Sequence, residues 1–594
     1  MENEVAGPIL RAGEPRSHTA ARSGGAFRGA AGRLGMKHGW LAATLLILLC
    51  STRGIYFGDT SSYTGDIAQY VGRSPIGAGS LLWEFGHLFW RPIGWGLVTA
   101  GAPVFARLTD WGPVQAGAFV LMGLTILCGV LTVLLWHSLA LDLTASRAVA
   151  FLIAFSFACS NSFLTYVHAG ASYVCGLFAV TLSIWVLRNG RGDGPIRPAA
   201  LVASAALAAF AAMLWFPYVL SAPGIVFIAL WPTAATFHPA SVLRPENIRL
   251  MRRFVVVLLI CLALGFGAGA WARRITSISQ ARTWIAESGH GWSQTHRIAR
   301  LATGLPRSFF FMGSDGILYK RFLLKDPYAP VGIRDLMRAS LWKILIFDIF
   351  LLSLIYALLR SPGHWAFWAL LAGSVPVLAF AVFLFEPGSP ERFFPAYPFL
   401  ILAVAWALRD FPRARRMPQF VILAFLTCMA ATNIYSMYRP RVDRMDAGSI
   451  GRLADVRSRV SDTSLVAILN NLDELEGLTG RAPFSAVNRP APRRLYDVIE
   501  PNTLRIPTWR REFAQEALRA WSNGGEVWVS KRLLQDRPRP EWNWVEGDDK
   551  RITWKDVPAF FLPLLRDDEF GGPDGFARLE HGDANVTRLA SFVR

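Results

Sequence analysis

Two aspartates and a tyrosine stand close together in the run Gly58-Asp59-Thr60-Ser61-Ser62-Tyr63-Thr64-Gly65-Asp66, directly after the first long apolar run, Trp40–Ile55. A carboxylate at the mouth of a membrane span is costly to desolvate, so it is a functional-site candidate by default. Held there, it can act as a general base toward a hydroxyl or amine acceptor. Asp59 and Asp66 are therefore the candidate catalytic residues. The plain alternative is a solvated loop after a helix, and the rest of the chain must decide between the two.

Other polar residues gather at what reads as the same membrane face. In Leu81-Leu82-Trp83-Glu84-Phe85-Gly86-His87-Leu88-Phe89-Trp90-Arg91 a helix would place Glu84, His87 and Arg91 on one side, by three- and four-residue spacing. The segment reads as an interfacial helix that Pro92 ends. Tyr166 and His168 mark a second mouth, Lys320 and Arg321 lie in a long loop after Arg307, and Glu386, Glu391 and Arg392 precede a late apolar run. Arginines beside a leaving phosphate would stabilise its developing charge. Arg392, Glu391, Arg91, His87, Glu84, His168, Lys320 and Arg321 are thus the substrate-binding candidates. Each has a duller counterpart: the wet face of a helix, a satisfied mouth histidine, or contacts to lipid headgroups. No His/Asp/Glu spacing argues for a metal site. No cofactor is implied, although a divalent metal remains open.

The elements that must position these residues are membrane spans. Of 594 residues, 53% are hydrophobic, the mean hydropathy is +0.33, and the apolar residues come in long runs. That composition excludes an ordinary soluble protein and gives a polytopic α-helical membrane protein. The runs predict about eleven spans of roughly 20 residues each. They are Trp40–Ile55, Val114–Leu135, Ala148–Tyr166, Ser172–Leu187, Ala199–Phe216, Tyr218–Trp231, Phe254–Trp271, Leu341–Leu359, Trp365–Leu384, Phe394–Leu408 and Pro418–Tyr435, while the short apolar run Ile93–Phe105 reads as an interfacial or re-entrant piece. External segments cover 56–113 and 272–339.

The net charge is +19. Short basic loops at 188–197, 244–253 and 409–416 explain it by the positive-inside rule, with no need for nucleic acid. Residues 1–37 read as a disordered basic cytoplasmic tail. The N-terminus is then cytoplasmic and Asp59 is outside, in an inner (plasma) membrane, with anionic membrane lipids as additional partners. From residue 439 to 594 the composition turns charged and soluble, reading as a C-terminal extracytoplasmic α/β domain. Strands are expected at Ser464–Leu469 and Glu526–Ser530, a helix at Arg510–Trp521, and a hairpin of Phe576–His581 with Thr587–Val593. Asn585-Val586-Thr587 is a glycosylation sequon that reads as a chance match. All six cysteines fall in apolar runs, so no disulfide framework is implied.

With these residues in view, the layout resembles the GT-C class of integral-membrane glycosyltransferases. These use polyprenyl-phosphate-linked sugars and include the protein O-mannosyltransferases and the aminoarabinose transferases of lipid A. The acidic start of the first external loop (Gly58-Asp59, Tyr63, Asp66) and Pro390-Glu391-Arg392-Phe393-Phe394-Pro395-Ala396-Tyr397-Pro398 carry the resemblance. It implies a polyprenyl-phosphate-linked sugar as donor and a lipid, glycan or protein as acceptor. It also implies Asp59 as catalytic base and Arg392 near the donor phosphate. Two departures stand out. Relatives often have His-Pro-Pro where this chain has His87-Leu88-Phe89-Trp90-Arg91-Pro92, and an acid where it has Tyr166-Val167-His168. Competing readings are an envelope-polysaccharide polymerase or ligase and a transporter. Charges at the mouths rather than inside the spans count against the transporter.

Overall fold

The computed structural model describes residues 58–108, 112–191, 196–230, 243–288, 297–312, 322, 332–339, 341–361, 364–385, 388–411, 416–443, 460–461, 463–468, 494–497, 509–534, 556–570 and 575–593. The tail 1–37, the run Trp40–Ile55, Lys320, Arg321 and Glu386 lie outside them, and so does the side chain of Asp59.

Six described helices are long and apolar enough to cross a membrane: Pro113–Thr144, Tyr173–Arg191, Pro245–Ala272, Leu341–Leu359, Trp365–Phe383 and Met417–Ser436. Three shorter apolar helices, Arg147–Ala158, Pro198–Leu214 and Phe216–Ala229, stand among them. In chain order the helices are α1 (Gly58–Tyr70), α2 (Trp90–Leu108), α3 (Pro113–Thr144), α4 (Arg147–Ala158), α5 (Asn161–Tyr166), α6 (Tyr173–Arg191), α7 (Pro198–Leu214), α8 (Ala222–Ala229) and α9 (Pro245–Ala272). Then follow α10 (Ile278–Glu287), α11 (Arg297–Phe309), α12 (Ile333–Ala339), α13 (Leu341–Leu359), α14 (Trp365–Phe383), α15 (Tyr397–Ala407) and α16 (Met417–Asp443).

One continuous apolar core joins these elements apart from α12, whose Leu336 packs with Met312 in a small separate cluster; Trp90, Trp136, Trp365, Tyr218 and Tyr397 are among the largest fully buried side chains of the main core. Helix α15 is apolar all round and almost wholly buried, as such a helix must be. Its Phe399 fills the seam between α8 and α14, where the backbones of Gly224 and Gly373 come close. A Cβ on Gly373 would lie 2.1 Å from the ring and one on Gly224 2.5 Å from it.

Several boundaries differ from the sequence reading. Leu81–Arg91 is not one helix: a loop leads through a single 3-10 turn, Phe85–His87, into α2, which starts at Trp90. Pro92 therefore opens a helix instead of ending one. In a first turn its missing N–H is no loss, because that donor has no intrahelical partner. The expected span Ala148–Tyr166 is broken at Cys159–Ser160 into α4 and α5, and the expected span Phe394–Leu408 begins with a 3-10 turn, Pro390–Ala396. The long loop from 272 is partly helical: α10, α11 and α12 lie in it, and α10 opens with a capping box of Ser277 and Gln280.

After residue 460 the described chain forms a five-stranded mixed sheet. Its strands are β1 (Leu465–Ile468), β2 (Arg494–Asp497), β3 (Val527–Ser530), β4 (Leu565–Phe570) and β5 (Phe576–Leu579), in the order β2-β1-β3-β5-β4. β1 runs parallel to β2 and β3, and β5 antiparallel to β3 and β4. Helices Trp509–Ser522 (α17), Asp556–Phe561 (α18) and Asp583–Val593 (α19) help form its separate core around Phe513, Trp521 and Leu589.

The expected hairpin around Gly582-Asp583 is absent, since β5 pairs with β4 and Asp583–Val593 is a helix. Val586, Leu589 and Val593 recur at helical spacing, and Asp583 favours the positive helix start. Asn585 is buried and its amide donates to the Glu580 carbonyl at 2.9 Å, which leaves the sequon closed to a glycan in this fold.

Candidate functional site

Helix α1 brings the first acids to the site. It starts at Gly58, so position 59 falls in its first turn and Tyr63 stands one turn later. Tyr63 and Ile67 are buried, Thr60 and Thr64 too, and the helix packs on α3. At its far end Asp66 meets Arg91: Nε of the arginine lies 3.2 Å from Oδ2. The same guanidinium holds Glu84 through Nη2 at 2.9 Å and donates from Nη1 to the Leu81 carbonyl at 2.8 Å. It also lies 4.9 Å from the centre of the Tyr63 ring. All three charged side chains are nearly buried, at 11% exposure for Arg91 and 13% for each acid.

One cation thus serves two carboxylates in a poorly solvated pocket. The Asp66 carboxyl is accordingly pushed above its ordinary range. Burial is the main cause, Arg91 opposes it and Glu84 adds to it. Helix α10 props the far side: Ser288 Oγ donates to Glu84 at 3.3 Å and accepts from the Gly86 N–H at 2.9 Å.

The second mouth is the loop between α5 and α6. Its Gly170 has φ +62°, a left-handed conformation that favours glycine. A Cβ there would stand 3.0 Å from Thr60 Cγ2, so this loop touches the first turn of α1. Trp90 Nε1 donates to the Gly170 carbonyl at 3.1 Å and locks the loop to α2. Ser172 Oγ sits 2.7 Å from His87 Nδ1. His168 is buried, with Nδ1 3.0 Å from the Leu164 carbonyl.

The third part is the turn Pro390–Ala396. Glu391 is buried, and Tyr166 donates its O–H to Oε2 at 2.5 Å. Arg392 follows, with Nε 3.5 Å from Glu391 Oε1 and 12% side-chain exposure. Its guanidinium lies 3.9 Å from the Phe385 ring centre and 5.6 Å from that of Trp215. Its Nη nitrogens donate to no protein atom among the described residues.

Aromatic rings join the parts. The Tyr63 ring lies 5.5 Å from the His87 ring, which lies 5.8 Å from that of Tyr173. Tyr173 in turn meets Tyr166 edge-on at 5.1 Å and Trp215 at 4.8 Å. An unbroken path of side chains therefore runs from Asp66 and Arg91 to Glu391 and Arg392.

With this architecture in place, its likeness to solved proteins can be stated. The crystal structure of ArnT from Cupriavidus metallidurans in the apo state superposes with a TM-score of 0.50 at 12% identity, covering 94% of this chain and 99% of that one. The chain has a GT-C fold. The crystal structure of ArnT from the same organism bound to undecaprenyl phosphate gives a TM-score of 0.48 at 12% identity, covering 91% and 98%. The cryo-EM structure of the arabinofuranosyltransferase AftD from Mycobacteria gives 0.39 at 14% identity, covering 83% of this chain and 37% of that one. No protein-family model matches the chain, and no curated protein is similar to it in sequence. At these identities the likeness is one of fold.

Within the GT-C fold the sequence-derived candidates fall into three groups. Asp66, Glu84, His87, Arg91, Glu391 and Arg392 belong to the connected network described above. His168 is on the same loop, turned into a backbone contact. Lys320, Arg321 and the side chain of Asp59 are outside the described residues. Glu84 and Arg91 do meet, but across a loop and not on one helix face.

Sequence reasoning missed the role of the aromatic walls Trp215, Phe385 and Tyr173, which come from remote elements. Trp and Phe are too common in spans to mark a site by themselves. Among the described residues no three His, Cys, Asp or Glu side chains gather as a metal site, and the described first-loop acids Asp66 and Glu84 are held by Arg91.

Proposed function

We propose that this chain is an integral-membrane glycosyltransferase that moves one sugar from a polyprenyl-phosphate donor to an acceptor at the outer face of an inner (plasma) membrane. The observation that carries the reading is Arg392. It is a nearly buried guanidinium beside aromatic rings, anchored by Glu391 on one edge, with its outer nitrogens directed at no protein group among the described residues. A fork of that kind suits a phosphate monoester or diester oxygen. The GT-C fold supports the reading, and ArnT has been solved with undecaprenyl phosphate bound.

In this reading Asp59 takes the proton from the acceptor hydroxyl or amine. The freed lone pair attacks the anomeric carbon from the face opposite the phosphate. The bond from that carbon to the phosphate oxygen breaks, its electron pair leaves with the polyprenyl phosphate, and the sugar inverts. Arg392 meets the charge that develops on the leaving oxygen. Tyr166 and Glu391 hold Arg392 in place. The sequence offers Asp66 with Asp59 as a catalytic candidate. Its tie to Arg91 suits it better to fixing α1, and with it position 59. His87 lies on the path between the two ends, and Glu84 belongs to the Arg91 end. The N-terminus is cytoplasmic, and the part after residue 439 is an extracytoplasmic domain.

The test is transfer of radiolabelled sugar from defined polyprenyl-phosphate donors by purified protein, with a lipid, a glycan or a peptide as acceptor. Transfer from a monophosphate-linked sugar supports the reading. Use of pyrophosphate-linked glycans alone would point to a polymerase or ligase.

A further inference from the structure

Helix α13 (Leu341–Leu359) is among the most apolar spans of the chain, and it carries an acid on its outward face. Asp348 lies about 10 Å along the helix from its start, at a rise of ~1.5 Å per residue, inside a helix whose length and composition suit a crossing of the hydrocarbon layer. It is exposed. It makes no hydrogen bond or ion pair among the described residues. Its neighbours on that face are Leu345, Ile349, Leu352, Tyr356 and Leu359, all exposed. The packed faces point the other way: Phe347, Phe350, Leu354 and Leu358 are buried, and α13 rests on α16 and α15. Exposed leucines on a span need no explanation, because lipid covers them. An exposed acid at this depth does, because hydrocarbon offers its polar atoms no partner.

We propose that this face of α13 is a membrane-embedded interface and that its occupant is a second copy of this chain. Two observations select that occupant. Leu345, Asp348, Leu352, Ile355 and Leu359 follow a three-four-three-four spacing, the seam of a left-handed helix pair. A two-fold axis through that seam sets each position against its own copy, so Asp348 meets Asp348. Neutral carboxyls then satisfy one another, each giving its O–H to the other's carbonyl oxygen. No charge remains in the lipid, and no cation is needed. The arginines furthest inside a described span, Arg252 and Arg253, stand in the first nine residues of the 28-residue α9, and Lys343 is buried with its ammonium donating to the Phe311 carbonyl at 2.6 Å. A second copy therefore offers Asp348 an acid at this depth, not a base.

The test uses the full chain in lipid vesicles at graded protein-to-lipid ratios, with subunits counted by single-molecule photobleaching. Wild type is expected to form dimers. Asp348→Leu is expected to lower the dimerisation constant about tenfold, as the loss of a paired set of hydrogen bonds would. Asp348→Asn keeps a donor and an acceptor and should retain the dimer. With the six native cysteines replaced, Leu352→Cys should cross-link between copies, whereas Trp368→Cys, also exposed but on α14, should not. Leucine on a lipid-facing position leaves the fold intact, which an unchanged thermal melt would document. Wild type that stays monomeric at every ratio overturns the proposal, as does Asp348→Leu that pairs as well as wild type. Either result would leave the face to a different membrane helix.

Discussion

Replacing Arg91 with methionine keeps the stem and removes the guanidinium. Asp66 and Glu84 then face each other without a cation, each at 13% side-chain exposure. Removing one partner of a buried ion pair costs ~3–5 kcal/mol, because a charge is left uncompensated. The residual exposure places the expected loss near the low end, about 3 kcal/mol. The loss should also depend on pH. A carboxyl whose folded pKa is raised contributes stability that is fully present below its unfolded pKa and is lost as pH rises through its folded pKa. Asp66 is such a group in the wild type, raised by burial against the pull of Arg91. Without Arg91 that pull disappears and the window extends upward. The deficit of Arg91→Met should therefore be smallest near about pH 4, the ordinary carboxylate range, and grow toward neutrality. Adding Asp66→Asn should recover much of it. Unfolding followed by tryptophan fluorescence in detergent micelles at several pH values measures all three. A loss below ~1 kcal/mol, the size of an exposed pair, would refute the account of this cluster. So would a deficit that is flat in pH.

Arg392→Lys keeps the charge but loses the planar fork over Phe385; kcat/KM for the lipid-linked donor should fall about 10- to 100-fold, and Arg392→Ala further. Gly170→Ala forces a side chain into a left-handed backbone and against Thr60 Cγ2 at 3.0 Å. It should cost ~1–2 kcal/mol in the same melts and lower turnover by disturbing the first turn of α1. Tyr166→Phe removes the donor that meets Glu391 Oε2 at 2.5 Å. Losing a hydrogen bond to a buried carboxylate costs ~1–3 kcal/mol, and the variant should be weaker in donor binding because Glu391 fixes Arg392 less firmly.

The parts of the fold that were legible in the sequence are those set by long apolar runs with charged flanks. Leu341–Leu359 is found with the same ends as expected, between the polar stretch before it and Arg360 after it. Shorter or interrupted runs misled. Ala148–Tyr166 reads as one span because Cys159 and Ser160 are small and compatible with a helix, yet the chain breaks there. Glu84, His87 and Arg91 have helical spacing, but Arg91 reaches Asp66 and the Leu81 carbonyl only if the chain turns before α2. Those contacts decide the local conformation, and no local pattern announces them. Thr587–Val593 has the apolar content of a strand, and only its three- and four-residue recurrence behind Asp583 betrays a helix.

Of the candidate site, charged residues were legible because acids and arginines at span mouths are rare and expensive. The path that connects them was not. Tyr63, His87, Tyr173 and Trp215 come from four separate elements, and their contacts arise from tertiary packing alone.

The most direct measurement is initial-rate transfer from a radiolabelled polyprenyl-phosphate sugar by purified wild type and Asp59→Asn. Both proteins should be shown to melt alike and to bind the donor alike. Turnover by Asp59→Asn should fall by at least about 100-fold, the usual share of a general base, with donor affinity retained. Full turnover by Asp59→Asn would contradict the assignment of the base and the account built on it.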